Sequence, residues 1–285
     1  MTRISYLGPA GTFTEAALLA LARAGRIPGS AGQDTHRVPT ESTPAALEAV
    51  RGGITEYACV PIENSIEGGV TPTLDGLSAG TPLQIFAETT LDVEFAIVVA
   101  PGRALPDIRT VAAHPVAGAQ VRRWLAEHLP LAHTVPANSN AAAAQQVYDG
   151  EFDAAVSTAL AAQQRGLSTL AEGVIDEPNA RTRFVLVGAP APPPPRTGRD
   201  RTSVVLHVAN SPGALAAALT EFGSRGIDLT RIESRPTRTE LGSYLFFVDC
   251  LGHIDDAAVG ASLQALRGNG THVRYLGSWP LEAKT

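Results

Sequence analysis

The sequence predicts an α/β fold in two parts, a large two-lobed region followed by a small βαββαβ sandwich. Three observations predict it. Short apolar runs alternate with capped helical segments from Ile4 to Val187; a proline run, Ala189 to Arg196, interrupts that rhythm; and a complete set of six elements follows it. A chain of 285 residues is also longer than one small core needs, which fits two domains.

Ile4 to Leu7 reads as a strand, Gly8-Pro9-Ala10-Gly11 as a turn, and Thr12-Phe13-Thr14-Glu15 as a capping box opening a helix that stops near Gly25. Thr43-Pro44 starts a second helix, ended by Gly52-Gly53, and Tyr57 to Ile62 follows as a buried strand. A β-rich stretch from Leu83 to Ala100 precedes Val111 to His114 and a helix running through Trp124 to about Leu129. The rhythm restarts with a strand at Val135, a cap at Asn138-Ser139-Asn140, and a helix reaching Tyr148. Asp153 to Val156, a helix from Thr158 to Arg165, Leu170-Ala171 and the strand Thr182 to Val187 complete the region. Two lobes joined by β crossovers place a cleft between them, where small-molecule sites form. Consecutive prolines remove amide donors and fix φ, so the tether at 189–200 is expected as a semi-rigid spacer. Beyond it, strand (Ser203 to Val208), helix (Pro212 to Arg225), strand (Leu229 to Thr237), strand (Ser243 to Leu251), helix (Ala257 to Arg267) and strand (His272 to Gly277) give the order of a ferredoxin-like sandwich.

Bulk properties narrow the function. A hydrophobic fraction of 44% with 18% charged residues is that of a packed protein. The net charge of -6 offers no basic face for phosphates, so nucleic acid is not expected as a partner. No run approaches the roughly twenty apolar residues of a membrane span, and the polar, glycine-rich start is unlike a signal peptide. A cytoplasmic protein is expected. Cys59 and Cys250 lie in separate apolar runs and read as buried reduced thiols. His128 and His133 lack metal-ligand spacing, so no metal is assigned.

Several segments have chemical potential. In Asn179-Ala-Arg181-Thr182-Arg183-Phe184, Arg183 can clamp a carboxylate, Thr182 can donate a hydrogen bond and Phe184 offers a flat apolar surface; the alternative is a solvated turn before an ordinary strand. Glu63, Asn64 and Ser65, at the end of a buried strand, are placed to project into a crevice, or else Asn64-Ser65 caps the next helix. The Gly8 to Thr14 turn, with Thr12, feeds a helix N-terminus whose amides favour anions. His114 opens a helix, where it either takes part in proton transfer or only caps. In the small domain, Asn210-Ser211-Pro212-Gly213-Ala214-Leu215 is a strand-to-helix turn and Glu233-Ser234-Arg235-Pro236 lies in the second strand.

Tyr6-Leu-Gly-Pro-Ala-Gly-Thr-Phe, Val60-Pro-Ile-Glu-Asn-Ser, His114-Pro115, Asn179-Ala-Arg-Thr-Arg-Phe, Pro212-Gly-Ala-Leu and Glu233-Ser-Arg-Pro occur in one order over nearly the whole chain. Together they resemble the prephenate dehydratase family with its C-terminal ACT domain. The resemblance implies a catalytic domain like the two-lobed type II periplasmic binding proteins over 1–188, with lobe one about 1–76 and 180–188 and lobe two about 77–179. It implies a linker at 189–200 and a ferredoxin-like ACT domain at 201–285.

The resemblance also implies conversion of prephenate to phenylpyruvate, CO2 and water in phenylalanine biosynthesis, without a cofactor. Thr182, His114 and Arg183 are expected as catalytic, and Glu63, Asn64, Ser65, Phe184, Thr12 and Asn179 as substrate-binding. Asn210, Pro212, Gly213, Ala214, Leu215, Glu233 and Ser234 match phenylalanine-sensing motifs, so L-phenylalanine is the expected effector. A homo-oligomer is expected, a tetramer built as a dimer of dimers. Some members carry a chorismate mutase domain in front; here the first strand starts at residue four, as in a monofunctional form. Thr182 is assigned the departing hydroxyl, with His114 second. The competing readings are a dehydratase preferring arogenate and a non-catalytic amino-acid sensor.

Overall fold

The structure, a computed structural model, describes residues 1–29, 35–237 and 242–282. The chain opens with β1 (Thr2–Leu7), α1 (Phe13–Arg23), β2 (Thr35–Thr40), α2 (Thr43–Arg51) and β3 (Tyr57–Asn64), and β1 pairs in parallel with both β2 and β3. Thr12 Oγ1 accepts from the Glu15 amide at 3.3 Å while the Glu15 carboxylate accepts from the Gly11 amide at 2.7 Å, close to the reciprocal box that the sequence predicts. Ser42 caps α2 in the same way, accepting from the Ala45 amide at 3.2 Å. β2 is not among the expected strands. Its sequence, Thr-His-Arg-Val-Pro-Thr, is polar and contains a proline, which an edge strand tolerates and a central one does not.

Next come β4 (Gly68–Gly69), α3 (Thr71–Ser78) and β5 (Gln84–Asp92). The chain then enters the second lobe with β6 (Phe95–Val99), β7 (Thr110–Ala113), α4 (Pro115–Gln120), α5 (Arg122–His128), β8 (His133–Pro136), α6 (Asn140–Tyr148), β9 (Ala154–Ser157), α7 (Ala159–Arg165) and β10 (Ser168–Val174). β11 (Arg181–Gly188) returns to the first lobe, antiparallel to β3 on one side and β5 on the other. The two sheets run β2-β1-β3-β11-β5, with β4 against β3, and β10-β6-β9-β7-β8. The first crossing therefore falls between Asp92 and Phe95, not near residue 76, because β5 pairs with β11 along its length. The helix expected from His114 to Leu129 is two, broken at Val121. The Asp176 carboxylate explains the break: it accepts from the amides of Arg123 (2.7 Å) and Trp124 (3.1 Å), starting α5 anew.

Residues 189–199 form no helix or strand, but they are fastened at both ends. Gln84 Nε2 donates to the Ala191 carbonyl at 2.9 Å, the His253 ring bonds the Pro194 carbonyl at 3.0 Å, and Arg196 pairs with Asp256 at 3.0 Å. The last part comprises β12 (Asp200–His207), α8 (Ala214–Gly223), β13 (Leu229–Pro236), β14 (Tyr244–Leu251), α9 (Ala257–Gly268) and β15 (His272–Pro280), with sheet order β13-β14-β12-β15.

One face of this sheet carries Val204, Leu206 and Val248 against Phe222 of α8 and Leu263 of α9. Its other face packs Val205, Phe247, Leu276 and Trp279 onto Ile85, Val185 and Val187 of the first lobe, forming one shared core. Burying a side chain such as Phe247 stabilises this contact by about 1.5–3 kcal/mol. A Cβ built at Gly277, whose φ is +139°, would lie 2.2 Å from the Ile85 carbonyl oxygen, so only glycine admits this approach. The small domain is docked on the large one and not suspended from it.

Candidate active site

Parallel strands of both lobes end toward a common cleft. On the first lobe β1 leads into the Gly8–Thr12 turn and β2 into Glu41; on the second β7 leads into His114 and β8 into Asn138-Ser139. These segments, with Phe13, Asn140 and Ala142, line a cavity of about 750 Å³. Ligands in open α/β sheets sit outside the carboxyl ends of strands, as this cavity does.

The polarity of the cavity comes mainly from backbone. α1 starts from the first lobe and α6 from the second, and both N-termini face the cavity. Helix geometry leaves the amides of Phe13 and Thr14, and of Asn140 and Ala141, without acceptors inside their helices, next to the positive ends of two dipoles. Ser139 fixes α6 by accepting from the Ala142 amide at 3.0 Å. Thr12 lines the cavity, but its hydroxyl is already engaged, donating to the Leu7 carbonyl at 3.0 Å while it caps α1. His114 occupies the N-cap position of α4, makes no side-chain capping bond among the described residues, and lines the cavity from the second lobe. Phe13 supplies an apolar wall there and meets Phe95 edge to face at 5.8 Å, which ties it to the second lobe. The lobes are tied together by Thr158 Oγ1 donating to the Gly11 carbonyl at 2.6 Å and by Gln164 donating to buried Glu15 at 2.9 Å.

Asn64 and Thr182 face each other across the end of the first sheet, where Asn64 Nδ2 donates to Thr182 Oγ1 at 2.9 Å. Asn64 Oδ1 accepts from the amides of Ile66 (2.9 Å) and Glu67 (3.1 Å), an Asx turn that fixes the side chain. With its oxygen accepting from Asn64, the Thr182 hydroxyl retains its proton for donation elsewhere. Ser65 is taken up in structure: its Oγ accepts from the Arg181 amide at 2.8 Å and donates to the Asn179 carbonyl at 3.3 Å. Asn179 contributes a left-handed backbone turn, φ 74°, and its carbonyl, with its side chain exposed.

Three expectations for this segment need correction. Phe184 is 2% exposed, packed among Ile4, Tyr6, Leu18 and Leu21, so it is core and offers no face to a substrate. Arg183 points to the opposite side of β11, toward the small domain. Its Nε donates to Glu63 at 3.0 Å, Nη1 to Glu88 at 3.1 Å and Nη2 to Asp249 of β14 at 2.6 Å, so it cannot also clamp a substrate carboxylate in the cleft. Glu63 lies on that side too. The ladder shifts between Arg183 and Phe184, which pair with Glu63 and Pro61, and the skipped Ile62 turns Glu63 toward Arg183 and away from the cleft.

Burial alone would lower the pKa of the Arg183 guanidinium, but the carboxylates of Asp249, Glu88 and Glu63 outweigh it and raise the value. Burial likewise works to raise that of Asp249, and Arg183 and Arg231 overcome it, leaving the carboxyl below its ordinary range. Both groups stay charged.

In the small domain the Asn210–Leu215 turn is at the surface, with Gly213 at φ +81° capping α8. Glu233 and Ser234, expected together at one effector site, lie on opposite faces of β13. Ser234 is exposed, whereas the Glu233 carboxylate lies so near Gly69 of β4 that a Cβ there would sit 2.7 Å from Glu233 Cδ.

Comparison with known proteins identifies the family. The sequence profile of the prephenate dehydratase family matches residues 4–192 and that of the ACT domain residues 202–268. The chain belongs to the prephenate dehydratase family. Prephenate dehydratase of Mycobacterium leprae (strain Br4923) is 67% identical over 280 residues, spanning 98% of this chain and 87% of the relative. Among solved structures, prephenate dehydratase from Arthrobacter aurescens in complex with L-Phe is 44% identical with a TM-score of 0.87, covering 98% of this chain and 90% of that one. A protein described as GqqA, a novel type of quorum quenching acylase, is 31% identical with a TM-score of 0.84 and 98% coverage of both chains. Prephenate dehydratases are carbon–oxygen lyases, and the chain is assigned to that class with them. The sequence reading missed Phe13, Asn138 and Asn140 as cavity residues. The signal was present, since Phe13 closes the quoted Tyr6-to-Phe13 segment and Asn138-Ser139-Asn140 is a cap, but a cap alone does not reveal what it faces.

Proposed function

We propose that the cleft converts prephenate to phenylpyruvate, with Thr182 as the contact to the departing hydroxyl. The observation that carries this role is the Asn64–Thr182 hydrogen bond, which leaves a polarised hydroxyl proton at the end of the first sheet. In prephenate the ring carbon bearing the carboxylate faces, across the ring, the carbon bearing the hydroxyl. The carboxylate leaves as CO2, its C–C electron pair enters the ring, the C–O bond breaks, and hydroxide takes a proton to become water. Aromatisation drives the step, so the protein's task is to hold two carboxylates and assist the leaving oxygen.

The N-termini of α1 and α6 suit the carboxylates, replacing the clamp expected of Arg183. Phe13 suits the ring. His114, an imidazole lining the same cavity from the second lobe, suits delivery of the proton that Thr182 passes on. Formation of phenylpyruvate from prephenate by the purified chain tests the reading. Prephenate left unconverted, or arogenate turned over much faster, overturns it.

For regulation, the ACT profile and the L-Phe complex of the Arthrobacter aurescens relative support L-phenylalanine as the effector, taken up at the Asn210–Leu215 turn with the exposed Ser234, while Glu233 is held against the first lobe. An effector acts by binding one quaternary arrangement better than another, which supports a homotetramer, and the two buried free thiols fit a reducing cytoplasm. The proposed domains are 1–188 and 201–285 with 189–200 between them; residues 283–285 lie outside the described residues. Phenylalanine added to the assay should lower the rate, and light scattering should report four chains.

A further inference from the structure

We infer that Asp249 of the small domain is a positioning residue for the dehydration: through Arg183 it sets the Thr182–Asn64 pair, so that docking of the domain tunes the cleft. The inference rests on the reading of Thr182 as the leaving-group contact.

The geometry is a ladder of two rungs. Thr182 pairs with Asn64 at the end of the first sheet, and the next rung, Arg183 with Glu63, is the one held from below. Arg183 Nε and Nη2 reach Glu63 at 3.0 and 2.9 Å, so the two strands are clamped one residue from the Thr182 hydroxyl. Glu88 on β5 takes Nη1 from the other flank. Asp249 makes the shortest of these contacts, 2.6 Å to Nη2, and it alone of the three carboxylates comes from the small domain.

Asp249 is 1% exposed and sits between Arg183, Arg201 (3.7 Å) and Arg231 (3.7 Å). Three guanidinium groups thus face three carboxylates, of which Glu88 and Asp249 are buried and Glu63 is partly open to solvent. Arg231 belongs to β13, the strand that also carries Glu233 against Gly69 and Arg235 paired with Asp75 at 3.1 Å. A shift of β13 would therefore redistribute the hold on Asp249, and with it the direction in which Arg183 is pulled. Merely structural glue would lower the melting temperature and leave turnover of the folded enzyme alone; a positioning contact must act through Thr182.

That difference makes the test a double-mutant cycle in the full chain. Asp249→Asn should lower kcat for prephenate at least about 10-fold with KM within about twofold, at a temperature where thermal melts show the variant folded. Asp249→Glu should recover part of the loss. In a Thr182→Ala background the same change should cost little more, since the contact it acts through is already gone. Wild-type kcat in Asp249→Asn, or an equal 10-fold loss in the Thr182→Ala background, overturns the inference.

Should Asp249→Asn not fold, Arg183→Met with Asp249→Leu removes both charges of the contact together. Wild-type turnover in that pair overturns the inference as well. A wild-type chain that makes no phenylpyruvate removes the proposed function and this inference together. An active wild type with a slow Thr182→Ala and an unaffected Asp249→Asn removes the inference alone.

Discussion

Strand β11 has two faces with opposite electrostatic characters. On one side Thr182 meets one neutral amide, that of Asn64, and keeps its hydroxyl proton available. On the other side, one residue further on, Arg183 is saturated by three carboxylates and 8% exposed. The comparison teaches that a chemically active group is left under-committed and its neighbour over-committed. A guanidinium with every arm occupied is poor at binding ligand and good at fixing a strand, and a fixed strand is what a positioned hydroxyl needs.

The comparison breaks most visibly on the saturated face. Arg183→Gln takes the nearest cation from buried Asp249 and Glu88 and leaves them only Arg201 and Arg231 at 3.6–3.7 Å, and loss of one partner from such a group costs up to about 3–5 kcal/mol. Urea or thermal unfolding reads this directly, and a variant as stable as the wild type would show that the charges are solvated. The same face has an acid limit. Because the Asp249 pKa is depressed in the folded state, its contribution is complete above the unfolded value near 3.9 and is lost as pH falls through the lower folded value. Wild-type stability should therefore decline below about pH 4, and Asp249→Asn should lack that part of the decline.

The Thr182 face is sharpened by kinetics. Thr182→Ala removes the donor to the leaving oxygen and should cut kcat about 100-fold, near 2.7 kcal/mol of barrier, with stability little changed. Thr182→Ser retains the hydroxyl and should keep most of the rate. Equal phenylpyruvate formation by all three proteins would remove Thr182 from the chemistry.

How far the sequence anticipated this depends on whether the deciding contact is local. The cap at Thr12, the helix start at Thr43-Pro44 and the six-element small domain follow from residues within a few positions of each other, and the structure has them. Which side of β11 each residue faces does not. It turns on the skipped Ile62 in a partner strand more than a hundred positions away and on the docking of β14, neither visible in a run such as Thr-Arg-Phe. Arg183 and Phe184 were misread for that reason, while Thr182 and Asn64, whose opposition depends on the same register, were named as candidates without a reason to pair them. The tether was legible as a break but not as a strap, because its bonds go to Gln84 and His253.

The smallest effect probes the backbone amides assigned to the carboxylates in place of Arg183. Ser139→Ala deletes the acceptor for the Ala142 amide, and loss of such a cap costs about 1 kcal/mol. The cavity-facing amides of Asn140 and Ala141 would remain, but the turn that aims them would be freer. The substitution should therefore raise KM for prephenate severalfold while kcat changes little, the reverse of the Thr182→Ala pattern. Steady-state kinetics with a parallel melt separates the cases. A lower melting temperature with unchanged KM would confine Ser139 to capping and leave α1 to hold both carboxylates, whereas a fall in kcat at constant KM would place the α6 N-terminus against the reacting atoms instead of the bound anion.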